Sequence, residues 1–231
     1  MTMKKGKLIV LDGADGSGKA TQAKLLLVRL KKEGYKVKAL DFPQYEKNFF
    51  GKLVGECLAG KYGDFIALDP HIASVLYAAD RFESKVTLEK WLRVGYIVVL
   101  DRYVSANQIH QGGKIIDTKK RREFLQWLDT MEFKIFGLPR PQLIFYLDVP
   151  RALSDRLLTQ ARQGASTNRA LRGRKDLAEK NTAHLDAARE GALKIIKQGN
   201  AWERITCAPK GELLSREDIA EQIWKKVQAI L

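Results

Sequence analysis

The sequence predicts an α/β fold in three layers, a five-stranded parallel sheet with helices on both faces. Three observations predict it. Short apolar runs bounded by turn residues alternate along the chain with longer stripes of helical period. Two of the runs, Tyr96–Leu100 and Leu143–Leu147, are apolar at every position, as strands covered on both faces must be. The first run feeds through glycines directly into a helical stripe, the join expected of a parallel βα unit. At 231 residues, one such domain with a full core is expected over the whole chain, 1–231.

The elements follow in order. Lys7–Asp12 ends in a glycine turn and reads as a buried strand. Ala20–Glu33 places Ala23, Leu26, Leu27 and Leu30 on one helical face, and Gly34 stops it. Lys36–Asp41 alternates as a strand and halts at Phe42-Pro43; Gly51–Ala59 reads as helix. Asp69-Pro70 is an N-cap followed by proline in the first turn, and that helix is expected to run to about Arg93, before Gly95. After Tyr96–Leu100 comes a helix, then a basic amphipathic stretch from about Thr118 to Phe136. Gln142–Leu147 is the fourth strand, and Arg151–Ala161 a helix after Pro150. Residues 162–175 carry no apolar periodicity. A helix over Asp176–Lys197, a strand at Trp202–Cys207 and a helix over Ser215–Ile230 complete the order. In such sheets, ligands gather at the carboxyl ends of the strands.

Composition narrows the class. Apolar residues at 45% and charged residues at 29% suit a folded domain, and no apolar run is long enough to span a bilayer. Met1–Lys7 is polar and the "LIVL" after it is too short for a signal-peptide core. Cys57 and Cys207 stand alone, matching neither a disulfide framework nor a metal cluster. A cytoplasmic protein is expected. The 41 basic against 27 acidic residues leave +14, which suits a nucleic acid or ligands rich in phosphate. Much of the excess lies in Lys114–Arg122 and Arg162–Lys175.

The stretch "LDGADGSGKATQ" at 11–22 points to ligands rich in phosphate. From Gly13 to Lys19 it keeps the spacing of a phosphate-binding loop, between a strand and a helix as that chemistry requires. Gly13, Gly16 and Gly18 free the backbone to turn its N–H groups toward phosphates, together with Ala14, Asp15 and Ser17. The helix N-terminus adds its dipole and Lys19 its charge. Ala20 occupies the position where a hydroxyl usually ligates magnesium. That hydroxyl is one ligand of an octahedral ion that keeps several waters, so a water can replace it. Thr21 is turned about 100° away along the helix and is no simple substitute. Asp101, ending an apolar strand, is the expected carboxylate anchor for Mg²⁺, and ATP the expected co-substrate.

Four segments in order resemble the thymidylate kinase family of P-loop nucleoside-monophosphate kinases. They are "DGADGSGK", "FPQY" at 42–45, "LYAADRFE" at 76–83 and "DRYVSANQIHQGG" at 101–113. The resemblance implies a kinase fold with a short arginine-rich lid, an enzyme transferring phosphate from ATP to dTMP, and a homodimer. It implies that Lys19 binds ATP phosphates, Arg102 grips the dTMP phosphate and Asp15 accepts from the sugar 3′-hydroxyl. It further implies that Tyr77 stacks on thymine, Arg81 bonds a base carbonyl and Asn107 completes the base edge. Tyr45 is implied at the monophosphate, with Phe42, Gln108 and His110 lining the same pocket. On residue type alone, Tyr77 suits the core equally, and Arg81 suits pairing with Asp80, Glu83 or a distant carboxylate. Gln44 replaces a common arginine, so one phosphate clamp is missing; His110 replaces a tyrosine near the sugar 2′ position. The loop carries Gly16 where some members place a base, so the transition-state cation is expected from a lid at about 160–176, among Arg162, Arg169, Arg172 and Arg174.

Two enzyme or binding alternatives accompany this reading. One is a kinase for another pyrimidine monophosphate. The other is a weakly catalytic P-loop protein that binds nucleotides or nucleic acid; no aromatic-interleaved basic module accompanies the charge, so nucleic acid is not the expected partner.

Overall fold

A computed structural model describes residues 5–164, 182–196 and 201–231. Five strands, β1 (Lys7–Gly13), β2 (Val37–Asp41), β3 (Ile97–Asp101), β4 (Leu143–Asp148) and β5 (Trp202–Thr206), form one parallel sheet in the order β2-β3-β1-β4-β5. The five-stranded parallel sheet expected from sequence is therefore present. The helices are α1 (Lys19–Lys32), α2 (Phe49–Leu58), α3 (Pro70–Glu83), α4 (Lys85–Arg93), α5 (Val104–Gly113) and α6 (Thr118–Asp129), then α7 (Arg151–Gly164), α8 (Thr182–Ile196) and α9 (Arg216–Gln228).

Pleating sends alternate residues of β1 to opposite faces. Ile9 and Leu11 join Leu26 and Leu30 of α1 and Ile223 and Trp224 of α9 in one core. Leu8 and Val10 join Leu88 of α4, Val104 of α5 and Phe124 and Leu128 of α6 in the other. This two-sided burial is why the strands read as continuous apolar runs. The neighbours β1 and β3 connect onward in opposite directions, to β2 and to β4, which opens a crevice above their carboxyl ends. Asp12, Asp41, Asp101 and Asp148 all stand at that edge of the sheet.

Two expectations are corrected. The helix from Pro70 does not continue to Arg93: it stops at Glu83, and Ser84 caps both α3 and α4. Neither glycine nor proline marks this break. A tertiary contact accompanies it, for the Asn48 amide donates to Ser84 Oγ at 3.1 Å and holds that residue inward. Likewise the basic stretch after Thr118 is α-helical only to Asp129 and then passes into a π-helical turn, Thr130–Ile135.

Candidate active site

The loop after β1 is built as its glycines demand. Gly16 and Gly18 take φ of 80° and 88°, and Gly18 caps α1 in the left-handed region. Lys19, buried at the start of α1, donates from Nζ to the main-chain oxygens of Gly13 (3.1 Å) and Ala14 (2.9 Å), with Asp15 Oδ1 at 3.4 Å. Its charge is thus curled over the loop's own backbone. Ser17 Oγ is buried without a hydrogen-bond partner among the described residues. Ala20 and Thr21 are exposed on the first turn of α1. A Cβ on Gly16 would stand 2.2 Å from the Ser154 main-chain oxygen of α7, so this position has no room for any side chain, basic or otherwise.

Asp101 and Arg102 face this loop from the end of β3. Arg102 has φ of 66°, rare for a residue with a side chain and a form of strain that collects at functional sites. Its main-chain N–H donates to Leu11 O at 2.9 Å, fixing the turn against β1. Its guanidinium reaches Asp15 Oδ1 at 2.5 Å, His110 Nε2 at 3.1 Å and Asp12 Oδ1 at 3.7 Å. His110 of the following helix thus stands beside the guanidinium. Crowding by protein would raise the Asp15 carboxyl's pKa, yet Arg102, Lys19 and His110 together hold it well below the usual carboxylate range. Burial would lower the Arg102 pKa, but Asp15, Asp12 and Asp101 keep the guanidinium firmly charged. Asp101 goes the other way: burial lifts its pKa, with Asp12 and Asp15 adding to the lift and Lys19 and Arg102 opposing it.

Residues unmarked by the sequence reading support this centre. Asp12, fully buried, accepts from Ser105 Oγ at 2.6 Å and from the Gly13 N–H at 2.9 Å, tying α5 to the loop. Its only sequence signal is an acid closing an apolar strand. Asp80 and Glu83 of α3 hold the turn after β2. Asp80 accepts from the Gln44 N–H (3.1 Å) and the Asn48 amide (2.9 Å), and Glu83 from the N–H groups of Phe49 (3.1 Å) and Phe50 (2.9 Å) at the start of α2. Gln44 is buried, its amide turned back on Asp41 through both the main-chain oxygen and Oδ1, so it stands in for no phosphate clamp.

The remaining predicted residues fall on two facing helices and the turn beside them. Tyr77 of α3 is half-buried, its ring 5.7 Å from that of Phe65 and tilted by 47°, so it is not sealed in the core. Tyr45 is half-buried against the same apolar cluster. Phe42 lies beneath this region, packed on Tyr103 at 5.9 Å inside the core. Of the alternatives for Arg81, the distant carboxylate is realised. At 2% exposure its Nε and Nη2 grip the fully buried Glu132 of the π-turn at 2.7 and 2.6 Å. Asn107 of α5 donates from Nδ2 to Ser74 O and to Glu132 Oε1, both at 3.2 Å. Gln108 and His110 are half-buried on α5. The backbone of Arg162 belongs to α7, while its side chain, and Arg169, Arg172 and Arg174, lie outside the described residues. Beyond that segment α8 rests on α5, where Gly191 approaches Gly113, and Arg189 donates to Asp148 at 3.0 Å.

Among the described residues no three His, Cys, Asp or Glu side chains converge as a metal cluster, and no helix is long and apolar enough to cross a membrane. Chemically the centre offers a cradle of backbone donors, the cations Lys19 and Arg102, and a carboxylate, Asp101, whose pKa burial lifts. That is a site for joining two phosphorylated ligands.

The chain is similar to known proteins over most of its length. The family model described as Thymidylate kinase matches residues 11–217. A probable thymidylate kinase of Pyrobaculum aerophilum is 30% identical over 209 residues, 90% of this chain and 96% of that one. The thymidylate kinase of Mycobacterium tuberculosis is 30% identical over 147 residues, 64% of this chain and 68% of its own. That of Homo sapiens is 30% identical over 152 residues, 66% and 65% of the two chains. In fold, a thymidylate kinase structure from Candida albicans superposes with a TM-score of 0.73 at 22% identity, over 97% of this chain and 92% of that one.

Proposed function

This chain belongs to the thymidylate kinase family, and from that premise we propose that it transfers the γ-phosphate of ATP to dTMP, giving dTDP and ADP. The observation that carries the reading is Arg102 held 2.5 Å from Asp15 across the phosphate loop. The cation for the acceptor phosphate and the loop for the donor meet at one place. Lys19 exchanges its loop carbonyls for the outer phosphates of ATP, which the N–H groups from Gly13 to Thr21 cradle. Arg102 exchanges Asp15 for the dTMP phosphate, a planar bidentate match. Asp15, so released, accepts from the 3′-hydroxyl. Tyr77 stacks on the base, Arg81 and Asn107 read its edge, Tyr45, Gln108 and His110 close the pocket, and Phe42 backs it. The acceptor phosphate is already anionic, so positioning and charge neutralisation suffice without a general base.

The donor set fits Mg²⁺, which favours one or two carboxylates with substrate phosphates over an all-protein cage. Asp101 would hold it, and the ion would supply charge neutralisation on the transferred phosphoryl group. Gly16 leaves no space for a basic loop residue, so the transition-state cation comes from the lid arginines. We read the whole chain as one kinase domain working in the cytoplasm. We also read it as a homodimer, because Ile72, Val75, Phe82 and Val86 are exposed along α3 and the start of α4.

The test is turnover of a monophosphate panel with ATP, followed as ADP release. dTMP is expected to be the best acceptor, and Lys19→Ala to abolish transfer without unfolding the protein. CMP or UMP outrunning dTMP would overturn the substrate assignment.

A further inference from the structure

Among the buried acids that take no part in the transfer, Glu132 stands nearest the base-reading side chains. Glu132 has no exposed surface, sits on a π-helical turn, and holds Arg81 through two parallel hydrogen bonds. Buried ion pairs add little net stability, because desolvating both charges offsets their attraction. π-turns also concentrate at functional sites. The pair has a consequence for orientation. With Nε and Nη2 committed to Glu132, the guanidinium offers its other donors on the far side, where Nη1 lies 3.4 Å from Tyr103 O. Glu132 Oε1 also accepts from Asn107 Nδ2, as does Ser74 O. Two acceptors at one end of that amide fix it as the NH₂ end and turn Oδ1 away from them. Two further atoms on the same helices, Ser74 Oγ and Gln111 Oε1, are buried with no hydrogen-bond partner among the described residues, Gln111 one turn beyond Asn107.

We propose that Glu132 is a positioning residue for the base pocket, aiming the remaining donors of Arg81 and fixing Asn107 Oδ1 as the acceptor beside them. Thymine presents the complement, an O4 acceptor beside an N3–H donor. Cytosine presents the reverse at both atoms, an N4 amino donor beside an N3 acceptor. Discrimination then comes from mismatched buried polar groups, which penalise the wrong ligand more than a lost apolar contact does. The inference rests on dTMP being the substrate.

The experiment compares dTMP with dCMP in the intact enzyme and in Glu132→Gln, which keeps shape but replaces one acceptor with a donor. The dTMP:dCMP ratio of kcat/KM is expected to fall at least tenfold, through a higher KM for dTMP, while KM for ATP stays unchanged. Glu132→Asp should restore part of the ratio. A folded Glu132→Gln that loses activity on both monophosphates equally, or keeps the ratio, overturns the proposal. Should that variant not fold, binding of N3-methyl-dTMP to the wild-type protein decides. Affinity at least tenfold below dTMP supports an acceptor at N3, and affinity within threefold overturns it. A wild-type enzyme that does not phosphorylate dTMP refutes the functional reading itself. A dTMP kinase with unaltered selectivity in Glu132→Gln refutes only the role of Glu132.

Discussion

Gly16 and Gly18 share a left-handed backbone but not their surroundings, and the contrast predicts two different alanine variants. Left-handed φ costs an alanine roughly 1–2 kcal/mol at either position. Among the described residues, a Cβ on Gly18 meets no atom within 4 Å beyond its own chain neighbours, so strain is the whole effect on the free protein. On Gly16 the Cβ would lie 2.2 Å from Ser154 O and 3.1 Å from Leu158 Cβ. Relief requires the loop or α7 to move by roughly 1 Å, and overpacking of this kind adds about 1–3 kcal/mol. At about 2–4 °C per kcal/mol for a chain of this size, Gly18→Ala should melt roughly 2–8 °C below wild type. Gly16→Ala should melt lower still, by about another 2–12 °C. The same displacement moves the phosphate cradle, and misplacement by about 1 Å costs on the order of 10²-fold in turnover. Thermal melts of the free proteins and steady-state kinetics of Gly16→Ala with ATP and dTMP test both parts. Equal melting points for the two variants, or Gly16→Ala turning over within twofold of wild type, would refute the reasoning from close contact.

Arg102→Ala should weaken dTMP binding tenfold or more while changing ATP binding at most a few-fold, as read by calorimetry; equal losses would remove Arg102 from the acceptor side. Ala20→Ser should retain turnover within a few-fold, because the added hydroxyl only replaces a water on Mg²⁺; inactivation would show a differently built metal site. In acid, Asp15 sets a sign. Its folded pKa lies below the ordinary aspartate value of 3.8, so the stability it contributes is complete above that pH and is lost as pH falls below it. Wild type should therefore lose urea resistance more steeply below pH 3.8 than Asp15→Asn does, and parallel profiles would sink the Arg102–Asp15 linkage.

Much of the site was legible because its chemistry is written in consecutive residues. A loop whose backbone must face phosphate needs Gly13, Gly16, Gly18 and Lys19 at fixed offsets, and a carboxylate facing that loop needs a strand that ends in it, as Asp101 does. The resemblance singled out Tyr77, Arg81 and Asn107, and i+4 spacing put the first two on one face of α3. Asp12, Asp80 and Glu132 were not legible, since each acts through a partner far away in sequence. Asp12 binds Ser105, Asp80 binds the backbone of Gln44, and Glu132 binds Arg81 and Asn107.

The amino-acid order by itself determined the alternation of strands and helices, the two-sided sheet and the phosphate loop. Those follow from local periodicity and backbone conformation, which a few neighbouring residues dictate. Only the folded chain decided that α3 breaks at Ser84, that Gln44 turns inward, and that Arg81 faces Glu132. Which buried charge meets which depends on the order of strands in the sheet and the helices laid across it. No window of adjacent residues contains that information.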